Sequence, residues 1–350
     1  MSEVFFAKVE SSDPKERQSQ LEKLLASSTG NMVYAKDEIV PLKLTIGDST
    51  CVHNMDPGLV KAVVSKVTAQ GAKPFLFDTS VIYKGERQIA VDHLRLVQNK
   101  KFSYSDVGAP FIVADGVLGQ DGRDFEIDAK NIKKIRVPSF VGMLDSLIVL
   151  SHATGHIFSG FAGALKNVAM GMSCRPTKQV QHSSMKPSVI QDKCKACGCC
   201  IKICPVSALS MNNRKKAHVD PGVCLGCGEC LCACKFDAVY VNWEEDMGVF
   251  CERMDEVADF ILSKFKNKFF ITFAFDITQE CDCISTKNDK LVSKNIGILA
   301  SGDPLALDKA TADLMSDDFG FFKEHNAYEH MFDYAQKIGI GSLEYKLVMI

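Results

Sequence analysis

Short apolar runs alternate with stretches of helical period along the first half of the chain. Val40 to Ile46 predicts a strand, Pro57 to Gln70 a helix, and Lys73 to Asp78 a second strand. A helix over Arg87 to Gln98 comes next, then an apolar run from Phe111 to Ala114. Further strands are expected over Ile135 to Phe140 and Ser146 to Ser151. Connections of helical length, roughly 10–14 residues, predict parallel βαβ units rather than hairpins. Gly160 to Met172, rich in small residues, reads as a loop that feeds a helix. Around Pro187 this pattern gives way to Cys, Lys and Gly, and it returns only after about Asn242 and Trp243. Glu252 to Lys266 is helical in spacing, Lys268 to Phe275 is an aromatic strand, and Asn295 to Ala300 is another strand. The last leads into Ser301-Gly302-Asp303-Pro304, where Asp303 can cap a helix and Pro304 suits its first position. The stretch after Trp243 is too short for an independent α/β domain. The expected organisation is therefore one α/β body, residues 1–187 and 244–350, interrupted by a separate unit at 188–243.

Composition narrows the class. Apolar residues at 46% and charged residues at 24% are the balance of a globular protein. A net charge of −2 offers no basic field for nucleic acid or anionic lipid, so neither is an expected partner. Arg214-Lys215-Lys216 and Lys264 to Lys268 read as solvated faces. The longest apolar stretch, Phe140 to Leu150, is broken by Asp145 and is too short to span a bilayer. Met1-Ser2-Glu3-Val4 lacks the positive region and apolar run of a signal peptide, so a cytoplasmic location is expected.

Ten of the fifteen cysteines lie between Cys194 and Cys234, which suits metal ligation better than a disulfide scaffold. Eight of them follow a duplicated rule: Cys194-x2-Cys197-x2-Cys200-x3-Cys204-Pro205, then Cys224-x2-Cys227-x2-Cys230-x3-Cys234. Two-residue gaps wrap the chain around one corner of a cubane, and the fourth cysteine reaches the other cluster. The expected ligand sets are Cys194, Cys197, Cys200 and Cys234 for one [4Fe–4S] cluster, and Cys224, Cys227, Cys230 and Cys204 for the second. Lys235 replaces the proline of the second motif, which alters a turn and not a ligand. Paired zinc knuckles are the alternative, but zinc does not require the third cysteine and the three-residue step, twice over. Cys199 and Cys232 fall outside the pattern. The expected fold is thus α/β, a mostly parallel-sheet body interrupted by a small α+β ferredoxin-like 2[4Fe–4S] domain.

Several polar residues of the body follow apolar strands, where open parallel sheets bind ligands. Asp78 and Asp115 are such residues, with helix capping or turn closure as the alternative. His152 and His156 share a common metal-binding gap, against ordinary loop hydrogen bonding. Gly160 to Asn167 carries Lys166 and can offer backbone N–H groups and a cation to an anion, against close packing at a sheet–helix junction. It is not a Walker A loop, and no G-x-G-x-x-G fingerprint occurs. Cys281-Asp282-Cys283 suits a soft metal or a redox pair if extended, and reduced surface thiols if not. Cys174 and His182 flank the cysteine-rich segment and are weaker site candidates.

The chain resembles a known family, the domain of unknown function numbered 362, in its subgroup of Fe–S centre proteins. The resemblance runs through Asp78-Thr79, Tyr83-x-Gly85-x-Arg87, Asp92-His93, Ala114-Asp115-Gly116, Ser151 to His156, Gly160 to Met172 and His182. Beyond the cysteines it covers Ile277-Thr278, Cys281-Asp282-Cys283 and Ile296 to Pro304. It implies an α/β body interrupted by the ferredoxin unit and a shared site at those polar positions, and it implies no reaction. Together the residues predict an iron–sulfur redox protein. Its two [4Fe–4S] clusters would exchange electrons with a redox partner protein and with a body site for a small anionic substrate or an additional metal. Asp78, Asp115, His152, His156 and Lys166 are its candidate residues, with Cys281 and Cys283 as metal ligands. The alternative is a non-catalytic electron carrier or metallocentre assembly factor.

Overall fold

The computed structural model describes residues 1–28, 30, 32–156, 159–182, 187–224, 229–240, 247–283, 286–315 and 320–350. Its centre is an eight-stranded sheet. In chain order the strands are β1 (Ser2–Lys8), β2 (Ile39–Lys43), β3 (Lys73–Asp78), β4 (Phe111–Val113), β5 (Ser146–His152), β6 (Asn267–Ala274), β7 (Gly297–Ser301) and β8 (Tyr345–Met349). They lie side by side as β8-β1-β7-β6-β5-β2-β3-β4. Only β7 runs against its neighbours β1 and β6; the other pairs are parallel.

Helices cover both faces, which is why β5 and β6 read as nearly continuous apolar runs. Ile148, Leu150, Ile271 and Phe273 pack with α1 (Pro14–Ser27), α2 (Pro57–Thr68) and α3 (Ala90–Asn99). The alternate residues Leu147, Val149 and Phe270 pack on the opposite face. There they meet α4 (Ala164–Ala169), α6 (Met247–Ser263), α7 (Pro304–Leu314) and α8 (Ala327–Ile338), while α5 (Arg175–His182) lies between α4 and the cysteine-rich segment in the chain.

Two expectations are corrected here. The run at Ile135 is no body strand: Lys134–Val137 pairs antiparallel with Arg123–Glu126 as a separate ribbon. Its alternation of exposed Lys134 with buried Ile135 and Val137 is the pattern of a half-solvated strand. Arg87 lies outside its expected helix, since α3 begins only at Ala90. The outer strands β1 and β8 and their helices α1 and α8 had no sequence prediction.

Strands β5 and β6 are adjacent and parallel, so everything from Ala153 to Lys266 is one crossover connection. The cysteine-rich segment sits inside it. Ser188–Val189 pairs with Val239–Tyr240, and Leu209–Met211 pairs with Ala217–Val219, both antiparallel. Short helices Cys199–Ile203 and Glu229–Ala233 complete a strand–helix–strand unit that occurs twice, as the cysteine motif does. Cys194, Cys200, Leu209, Val219, Cys230, Cys234 and Val239 form its own small core. No helix among the described residues is long and apolar enough to cross a membrane.

The helix cap read from the sequence is present and carries more than one helix. Asp303 accepts from the amides of Leu305 (2.9 Å) and Ala306 (3.0 Å), and also from Ser342 N (2.9 Å) and Ser2 Oγ (2.7 Å). It thereby pins β1 and the approach to β8 to the start of α7. Asp303→Ala should lower the unfolding free energy by about 2 kcal/mol, at the upper end of cap losses because further donors lose their acceptor. Urea denaturation measures this, and a loss below about 0.5 kcal/mol would contradict it.

Candidate functional site

The parallel strands deliver polar residues to their carboxyl ends, around a cavity of about 80 Å³. Lys43 ends β2, Asp78 ends β3, and Ser151 and His152 end β5. Asp78 is the electrostatic centre. Lys43 Nζ lies 3.1 Å from its Oδ1 and Arg87 Nη1 lies 3.3 Å from its Oδ2. All three side chains are almost completely buried. Burial opposes the charge of Asp78, but Lys43 and Arg87 outweigh it and hold the carboxyl below its usual range. Lys43 also donates to Leu44 O (2.7 Å) and Asn167 Oδ1 (2.7 Å). Burial lowers its pKa, yet this surround of acceptors is the environment of an ammonium.

Close approach here depends on Gly171, whose added Cβ would come within 2.2 Å of Lys43 Cε. Thr79 Oγ1 donates to Gly171 O (2.9 Å) and accepts from Lys178 Nζ. Lys178 also donates to Ser80 O (2.7 Å) and Ser173 O (3.0 Å). Arg87 spans further, donating to Tyr83 Oη (2.6 Å) and to Asp48 Oδ1 (3.4 Å).

Opposite this wall stands the turn at Cys281-Asp282-Cys283. Cys281 and Cys283 line the cavity together with Lys166 and Arg87. The neighbouring Cys281 thiol, with Lys166 and Arg87 adding their charges, pushes the Cys283 thiol well below its ordinary pKa, whereas Cys281 is raised by its neighbour and by burial. Asp282 faces away from the pair, and its Oδ1 lies 2.8 Å from His152 Nδ1. The other ring nitrogen of His152 lies 2.6 Å from Phe275 O, which can only accept, so Nε2 carries a proton. Burial works against the imidazolium, but Asp282 and the Phe275 carbonyl overcome it and raise the pKa above the ordinary value.

Five of the seven body residues expected from the sequence thus meet at one cavity: Asp78, His152, Lys166, Cys281 and Cys283. Two do not line it. Asp115 is fully buried behind the wall, accepting from Ser80 N (2.9 Å) and Ser80 Oγ (3.2 Å); burial lifts its pKa to about 6. His156 Nδ1 accepts from Ser159 N (3.0 Å) and pairs with Ser159 Oγ (2.9 Å), and its ring stacks on Phe250. The two histidines therefore do not form a metal pair, and both nitrogens of His152 are engaged. The glycine-rich start of α4 also differs from expectation. The amides of Ala164 and Leu165 donate to Asp308 at 2.7 and 2.9 Å, so that helix start is already capped by a carboxylate. Cys174 and His182 stay apart from the cavity; burial pushes Cys174 up to about 12, and His182 packs on Phe250. Arg87, Asn167 and Asp282 lie in stretches that the resemblance marks, without a role of their own, whereas Lys43 and Lys178 were missed as site residues. Lys43 had a signal, as a lone charge inside an apolar strand.

A second hollow lies in the cysteine-rich segment, lined by Cys194, Cys197, Cys200 and Cys234 together. Ala217 N donates to Cys194 Sγ (3.4 Å) and Ala238 N to Cys234 Sγ (3.3 Å). Ala208 N donates to Cys204 Sγ (3.2 Å), the equivalent contact of the first motif. Of the other set, Cys227 lies outside the described residues. Among the described residues no three His, Cys, Asp or Glu side chains converge on a single-ion position. A cubane, with one thiolate per iron corner, needs its ligands spread wider than that.

The segment is tied to two walls of the cavity. Lys84, in the stretch that carries Arg87, pairs with Asp237. On α5, Lys178 faces the cavity while Arg175 reaches within 3.7 Å of Glu229 in the second cysteine motif.

Fold and site define a mixed α/β protein, with a mostly parallel sheet, a polar cavity at its carboxyl edge and a cysteine-rich unit in a central crossover. The chain belongs to the family described as Domain of unknown function (DUF362), whose pattern matches residues 40–313. No curated protein matches it. Among solved structures it is similar to a protein from Thermotoga maritima, with 11% identity and a TM-score of 0.44 over 91% of this chain and 59% of that one. It is also similar to the lactate racemase apoprotein from Thermoanaerobacterium thermosaccharolyticum, with 12% identity and a TM-score of 0.39 over 87% of this chain and 55% of that one. This chain thus spans less than two thirds of either.

His152→Gln removes one partner of a buried ion pair and should cost about 3 kcal/mol of stability near pH 6. Because the folded pKa is raised, this stabilisation is complete below the unfolded value of about 6.5 and fades as pH rises through the folded one. Urea denaturation of both proteins from pH 6 to 9 should show the gap narrowing with pH. A gap that widens would contradict the assignment.

Proposed function

We propose that this chain is an iron–sulfur redox protein whose cysteine-rich unit is a 2[4Fe–4S] ferredoxin domain. In this reading, electrons pass between its clusters and a small anionic substrate in the cavity of the body. The observation that carries the reading is the shared hollow of Cys194, Cys197, Cys200 and Cys234, the ligand set expected from the spacing. Amide N–H groups directed at the sulfurs of Cys194, Cys204 and Cys234 suit thiolates that share charge with iron. When bound, such clusters supply one-electron transfer.

The body residues do the rest. Arg87, Lys166 and Lys178 line the cavity and would orient an anion, while Asp78 holds Arg87 and the His152–Asp282 pair holds the thiol turn in place. Helix α5 and the stretch from Lys84 to Arg87 touch the cysteine-rich unit at one point and the cavity at another, which gives a short route between them. Cys197 is exposed at the rim of its hollow, so a redox partner protein can approach one cluster there. Free thiols at the thirteen described cysteines fit a cytoplasmic setting. The exposed rim also favours the second reading, an electron carrier without a substrate; the cation-lined cavity favours the enzyme.

Metal and sulfide analysis of anaerobically purified protein should give about eight irons per chain. Cys200→Ser and Cys230→Ser should each lose about half of them while the far-ultraviolet circular dichroism is unchanged. Stoichiometric zinc in place of iron would sink the reading.

A further inference from the structure

The turn after β6 brings two cysteines to one cavity wall, and no disulfide joins them. Only Asp282 separates them in the chain, and both line the same cavity. Two buried cations, Lys166 and Arg87, line the cavity with them. That environment resists an additional metal cation. Asp282, the nearest anionic ligand in sequence, is turned to His152 instead. Thiolates flanked by buried cations are the setting of redox chemistry at sulfur.

We propose that Cys281 and Cys283 form a dithiol–disulfide couple that stores two electrons beside the substrate cavity. The clusters deliver these electrons one at a time, so this inference rests on the function proposed above. In the reducing direction two reduced [4Fe–4S] clusters each give up one electron. The S–S bond breaks, Cys283 is left as a thiolate in the field of Lys166 and Arg87, and Cys281 takes up one proton. In the oxidising direction the same two electrons and one proton leave and the bond re-forms. The pair thereby converts one-electron carriers into a two-electron donor for a substrate. The His152–Asp282 contact is a positioning device: it anchors the residue between the two cysteines to the ends of β5 and β6.

The test uses the anaerobic holoprotein, equilibrated from fully reduced dithiothreitol to diamide, quenched in acid, denatured and alkylated with N-ethylmaleimide. The tryptic peptide 269–287 contains only these two cysteines. It should carry two maleimides at the reducing end and none at the oxidising end, with no singly labelled form between. Cys283→Ser should keep its iron and label Cys281 under dithiothreitol without yielding a protected intramolecular form under diamide. Double labelling under every condition, or protection of one thiol alone in the unsubstituted protein, would overturn the couple. Reduced methyl viologen, a one-electron donor, should open the disulfide in the unsubstituted holoprotein and much more slowly in the Cys200→Ser, Cys230→Ser double variant. Equal rates would overturn delivery through the clusters. Iron analysis of the same samples keeps the two claims apart: a chain without iron whose thiols still titrate as a pair would refute the function but not the couple.

Discussion

A carboxylate buried between two cations at the edge of a parallel sheet is the constraint on which the site is built. Asp78 is inaccessible to water and would be intolerable there alone; Lys43 and Arg87 are equally buried and equally dependent on it. Such a pair is weak evidence of stability, because desolvation offsets the attraction. Breaking it is another matter, since removing one partner costs about 3–5 kcal/mol. The three charges therefore fix positions. Lys43 ties β2 to Asn167 on α4, Arg87 ties the stretch after β3 to Asp48, and Asp78 holds both.

Topology explains why the cysteine-rich unit stands beside this edge. A crossover between adjacent parallel strands begins at the carboxyl end of the first, which is where the cavity lies. The crossover from β5 to β6 leaves His152 and lines the cavity with α4 and α5. It then carries the duplicated strand–helix–strand unit before α6 returns it to the sheet. An insertion at this point places its contacts, Asp237 and Glu229, against elements that also face the cavity. The unit and the cavity thus share the elements that lie between them.

Much of this was legible in the sequence. Buried parallel strands announce themselves as apolar runs, and Asp303-Pro304 announces a helix start. The polar residues that follow β3 and β5 fall where such sheets bind ligands. The misses have physical causes. Strand β8 is a partly exposed edge of only five residues, and its apolar run, Leu347-Val348-Met349, is too short to be told from other short apolar runs. Lys178 is indistinguishable by type from a surface lysine, and only the acceptors folded around it identify it as buried. Arg87 was assigned to a helix because nothing local marks the turn that turns it inward. His152 and His156 were paired by spacing, but each found a nearer partner, Asp282 and Ser159, that no local spacing reveals. Asp115 follows a strand as expected, yet its carboxyl is used to hold Ser80.

Electron paramagnetic resonance of the anaerobic protein, reduced fully with dithionite, tests the central claim most directly. Two [4Fe–4S] clusters in one small unit should give fast-relaxing signals that integrate to one unpaired electron per cluster, broadened by magnetic coupling between them. A protein that stays silent on reduction and carries zinc at its cysteines would contradict the account.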